Sequence, residues 1–82
     1  MKRKILLKKL SEFLDRDARK QRKHHDELKM LLKKLREKEV ALKEKMQLER
    51  NERRQNRLGK ELEIIRAQRT KGIKALQDLN DS

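Results

Sequence analysis

Two groups of basic residues share one spacing. Arg16, Arg19, Lys20 and Lys23 repeat at intervals of three, one and three, and so do Arg50, Arg53, Arg54 and Arg57. On an α-helix that spacing puts the four cations of each group on one face. Such a row can lie along a phosphate backbone and displace condensed counterions, giving binding that weakens with salt and reads no base sequence. The competing reading of each group is a solvated helix face crossed by i,i+4 ion pairs, such as Glu49 with Arg53. The charge balance favours the first reading: 26 Lys plus Arg against 14 Asp plus Glu leave a formal +12, which suits nucleic acid or an acidic protein surface. With Phe13 as the one aromatic residue, recognition of single strands by base stacking is not served.

His24-His25-Asp26-Glu27 is the one run that resembles metal chemistry. Adjacent histidines on a helix point about 100° apart, so they cannot act as a facing pair of ligands, and the chain has no other His and no Cys. Polar helix surface is the expected role, with a charge that varies near neutral pH. The sequence contains no Gly-rich phosphate loop and no Ser/His/Asp set, so neither catalysis nor a metal or cofactor is expected.

The elements that position these groups follow from the apolar residues. In 82 residues only 33% are hydrophobic, 49% are charged and Pro is absent, which leaves long helices or a disordered polyelectrolyte as the available regimes. Periodicity selects helices. Leu28, Leu32, Leu35, Leu42 and Met46 follow a heptad series with Glu39 in one core slot, and Leu58, Leu62, Ile65, Leu76 and Leu79 follow a second with Arg69 and Gly72 in the skipped slots, Ile73 widening the stripe. The two series mirror each other about position 53 or 54: Leu28 pairs with Leu79, Leu35 with Ile73, Leu42 with Ile65, Met46 with Leu62, and Glu39 with Arg69, a match of opposite charges.

The expected fold is therefore all-α: an elongated, self-associating antiparallel hairpin or coiled coil in a single unit over 1–82. It has a long first helix, arms at 25–50 and 57–80, a tip at 51–56 and a second helix over about 57–79. Asn56 is the expected cap of that helix, and Gly59 is a competing turn marker set aside because a bend there would face Ile65 with Arg53. Two straight helices crossing in a domain-swapped dimer satisfy the same mirror.

Residues 1–24 find no mirror partner, yet Leu6, Leu7, Leu10, Phe13 and Leu14 form an apolar stripe at helical spacing. The expectation is a basic amphipathic overhang whose stripe serves as a homo-oligomer interface or captures a partner helix. Adsorption to an anionic membrane through Lys2, Arg3, Lys4, Lys8 and Lys9 ranks last, since membrane-surface helices carry more aromatic residues. The apolar run after the basic start stops at Lys8, too short for a signal peptide, and no stretch approaches the ~20 apolar residues of a transmembrane helix; a cytoplasmic location is expected. The functional expectation is a non-enzymatic coiled-coil protein that binds a polyanion, nucleic acid foremost, through the two basic arrays, the alternative being an assembly adaptor that uses the 5–14 stripe.

Overall fold

The computed structural model describes residues 2–81 and is all-α. Four helices follow one another: α1 (Arg3–Leu14), α2 (Ala18–Lys23), α3 (His25–Leu48) and α4 (Glu52–Asn80). The molecule measures 46 × 20 × 16 Å, with a radius of gyration of 14.2 Å. A compact chain of this length would have about 12 Å, so the shape is elongated, its long axis matching the roughly 43 Å expected for the 29 residues of α4.

α3 and α4 run antiparallel. Met46 lies beside Gly59, Glu39 meets Arg66 and Arg69, and Leu32 lies beside Gly72. These pairs mirror about positions 52 to 54, beginning up to one residue before the expected 53 or 54. The reversal is shorter and earlier than the 51–56 tip read from the polar run. α3 ends at Leu48, and α4 begins at Glu52 with Asn51 as its N-cap: its side-chain oxygen accepts from the Arg54 amide at 3.2 Å, and its own amide donates to Glu49 Oε1 at 3.1 Å. Gln55 Nε2 donates to the Met46 carbonyl, tying the two helix ends together. Asn56 thus lies inside α4, not at its cap, and so does Gly59. Asn51 takes the capping role because a cap needs extended backbone, which it has (φ −81°, ψ 119°).

The N-terminal third corrects the sequence reading most. No long first helix runs from the start to position 50, because the chain breaks twice. α1 stops at Leu14. Asp17, in extended backbone, caps α2 by accepting from the Lys20 amide at 2.9 Å, and His24 (φ −117°, ψ 30°) separates α2 from α3. These breaks let α1 turn back along the α3–α4 pair. Arg3 reaches Glu61, and the Leu10 methyl lies against the α4 backbone at Gly72, so α1 runs parallel to α4 and antiparallel to α3. Leu6, Leu10 and Phe13 are fully buried among Leu28, Leu31, Leu32, Leu35 and Ile65, with Leu7 and Leu14 packed at the margin. The overhang with an exposed stripe does not exist, because the chain covers that stripe itself. Full burial of such side chains stabilises by about 1.5–3 kcal/mol each, enough to hold a helix that local features do not favour: α1 has no N-cap side-chain bond and no acidic residue in its first turn, and 12 residues are marginal alone.

Gly72 is the seat. A Cβ there would lie 2.6 Å from Leu32 Cδ2 and 3.3 Å from Leu10 Cδ1, so three helices converge on a position that only hydrogen fills. The skipped heptad slot is thus a point of close approach, and Ile73 beside it is partly exposed.

Candidate polyanion interface

The two basic arrays lie at opposite ends of the molecule. α2 packs near Ala75, Asp78 and Leu79, at the end of α4, while Arg50 to Arg57 occupy the reversal at its start. Along α4 the separation is roughly 30 Å, so the arrays do not form one continuous row.

The first array is divided. Arg16 lies in the break between α1 and α2. It donates to Glu27 through Nη1 at 2.9 Å and Nη2 at 3.4 Å, and its guanidinium sits 5.2 Å from the Phe13 ring centre. It therefore braces the α1–α3 junction, as does Gln21, whose Nε2 donates to the carbonyls of Phe13 and Leu14 and closes the end of α1. Arg19, Lys20 and Lys23 remain exposed on α2.

The second array is open. Arg50 stands in the turn, not on a helix, so the four residues do not share one helix face as the spacing implied; Arg53, Arg54 and Arg57 occupy the first turns of α4. All four are exposed, and no carboxylate of the described residues pairs with them. The Glu49–Arg53 pair of the competing reading does not form, because the helix break falls between them and Glu49 instead accepts from the turn. From Lys43 to Lys60 the chain carries seven basic and three acidic residues, so this end projects a positive field. It lies at the positive end of the α4 dipole, which further favours anions.

A different constellation occupies the middle of the rod. Glu39 is 4% exposed and receives Arg36 Nη1 at 3.3 Å, Arg66 Nε at 3.2 Å and Arg69 Nη1. The mirror placed Glu39 opposite Arg69; it did not single out Arg66, although Arg66 lies three residues before Arg69 and therefore on the same face. Burial raises the Glu39 carboxyl, but hydrogen bonding by Arg66, the charge and hydrogen bond of Arg69 and the charge of Arg36 outweigh it and hold the group below its ordinary 4.5. Its cover consists of guanidinium groups, two of them about half exposed, so the carboxylate is wrapped in charge and not sunk in hydrocarbon.

His24 is exposed, and His25 Nε2 lies 3.3 Å from Asp26 Oδ1. Among the described residues no three His, Cys, Asp or Glu side chains gather as a metal site, and no helix is long and apolar enough to cross a membrane. Compared with known proteins, the chain matches no family model, no curated sequence and no solved structure.

Proposed function

We propose that this chain is a non-enzymatic helical interaction protein that binds a polyanion, duplex nucleic acid foremost, with the α3–α4 pair acting as a hairpin coiled coil that presents its basic turn. The observation that carries the reading is the state of Arg50, Arg53, Arg54 and Arg57: exposed, without a carboxylate partner among the described residues, and clustered where the helix dipole adds to their field. Arg19, Lys20 and Lys23 form a second, weaker contact at the far end, and Arg16 leaves the set because Glu27 neutralises it. The proposal places the protein in the cytoplasm, in contact with nucleic acid.

Fluorescence anisotropy with a labelled duplex of arbitrary sequence tests this. Four phosphate contacts predict that affinity falls roughly a hundredfold between about 50 and 200 mM salt, and equally for unrelated sequences. Replacing Arg50, Arg53, Arg54 and Arg57 with Gln should flatten the salt dependence. No binding at the lower salt, or binding untouched by the four substitutions, refutes the reading.

The adaptor alternative loses the surface it was based on, since Leu6, Leu10 and Phe13 are fully buried in the chain's own core. Self-association through residues 5–14 would require α1 to leave its seat, and a monomer in sedimentation equilibrium is the expected result.

A further inference from the structure

α1 fills the groove between α3 and α4 over only part of its length. Its 12 residues span about 18 Å, against roughly 36 Å for the 24 residues of α3. Where α1 begins, at Arg3, the exposed face of α3 borders an open cavity of about 470 Å³ lined by Arg3, Lys38, Ala41, Leu42, Lys45 and Leu48, with Glu44 at its side. Lys38, Ala41, Lys45 and Leu48 are spaced three, four and three apart, the seam that one helix offers to another. Leu42 is half-buried, while Leu48 is 83% exposed, by far the most exposed large apolar side chain among the described residues. Lys45, Glu49, Arg54, Arg57 and Leu58 border a second hollow toward the turn.

We infer that this uncovered face of α3 is a docking site for a short amphipathic helix with acidic flanks. Three features select that occupant. Lys38, Ala41, Lys45 and Leu48 keep the spacing of a helix seam on a stretch of α3 that lies beyond the start of α1. The floor of Ala41, Leu42 and Leu48 requires an apolar face, which a phosphate backbone lacks. The rim of Lys38 and Lys45, set against Glu44, with Arg3 already paired to Glu61, favours negative charge, which a second copy of this chain at net +12 does not bring. Ala41 and Leu48 lie outside the arginine array, while Arg54 and Arg57 of that array border the adjoining hollow.

The test uses the full chain and a labelled, capped peptide of Leu, Ala and Glu. Its leucines stand at i, i+3, i+4 and i+7 and its glutamates on the flanks. A scrambled isomer has the same charge and no apolar face. The expected result is binding of the patterned peptide about tenfold tighter than the isomer, with NMR shifts concentrated at 38–48 and Arg3. Leu48→Gln and Ala41→Gln should each weaken it severalfold, up to the roughly tenfold that one buried leucine is worth. Both positions are exposed, so circular dichroism should show unchanged helicity. Equal binding of the two peptides would mean nonspecific charge attraction and overturn the inference, as would no binding of either. Shifts centred on Leu10 and Phe13 would mean that the peptide takes the α1 seat, and a dimer abolished by Leu48→Gln would make a second copy the occupant; either overturns it too. Because duplex binding depends on Arg50 and Arg53 and peptide binding on Leu48 and Ala41, the two readings fail separately.

Discussion

At the scale of single residues, Glu39 tests how far charge can occupy a helical seam. Its carboxylate faces three guanidiniums, so removing it leaves Arg66 and Arg69 repelling each other beside the α3–α4 contact. Breaking a buried ion pair costs about 3–5 kcal/mol, and exposed pairs contribute less than about 1 kcal/mol. With arginines half in water, Glu39→Gln should lie between, at roughly 1–3 kcal/mol, read as a lower midpoint in urea. The pH dependence has a definite sign. A carboxyl held below its ordinary value binds fewer protons folded than unfolded, so its stabilising contribution is complete above about 4.5 and disappears as pH falls through the lowered folded value. Urea midpoints measured from neutral pH downward should show a loss in this acid range, and Glu39→Gln should make that loss smaller; an unchanged acid limb would mean that the arginines do not hold the carboxylate.

At the scale of elements, the two glycines of α4 make opposite predictions from one chemical change. A Cβ at Gly59 would meet only Met46 Cε, at 3.6 Å, an ordinary contact, so Gly59→Ala should stabilise by about 0.5–1 kcal/mol through helix propensity and the unfolded chain. At Gly72 the same Cβ would strike Leu32 and crowd Leu10. Gly72→Ala should cost about 1–2 kcal/mol after the propensity gain, because α1 must shift on the pair. Thermal unfolding separates the cases, since 1 kcal/mol moves the midpoint by about 4–8 °C in a domain of this size. The contrast also shows what was legible. The sequence flagged both glycines as irregularities, Gly59 as a competing turn marker that becomes a mild weakness with the bend at 51–56 and Gly72 as a skipped heptad slot, but it could not say that Gly72 is a seat, since that depends on which third helix passes by.

For the whole molecule, a charge of +12 on a 46 Å rod means that folding works against its own field. Among the described residues, five of the 26 basic side chains have an ion-pair partner: Arg3, Arg16, Arg36, Arg66 and Arg69. Added salt shortens the screening length from about 30 Å at 0.01 M to about 8 Å at 0.15 M, so fold stability should rise with salt over that range while duplex affinity falls. Opposite trends in a thermal melt and an anisotropy titration, on the same protein and buffers, are the expected outcome. A melt that weakens with salt would mean that attractive pairs, not repulsion, dominate the fold.

Helical class, the antiparallel mirror of α3 and α4 and the Glu39–Arg69 match follow from apolar period and charge order, because those patterns repeat along the chain and are local properties of it. The exact reversal was only approached: nine polar residues from Glu49 to Arg57 offer no apolar marker, and Asn51 and Asn56 are equally good caps until the helix ends are tied by Gln55 and Glu49. The course of α1 was decided by tertiary structure alone. A stripe of Leu6, Leu10 and Phe13 has the same period whether it meets another chain or its own, and period cannot name a partner. What settles the matter is that the chain breaks at 15–17 and 24, which give it room to return, and that Gly72 leaves space for Leu10 to enter. The same return leaves the α3 face between Lys38 and Leu48 uncovered, because α1 is shorter than the helix against which it packs.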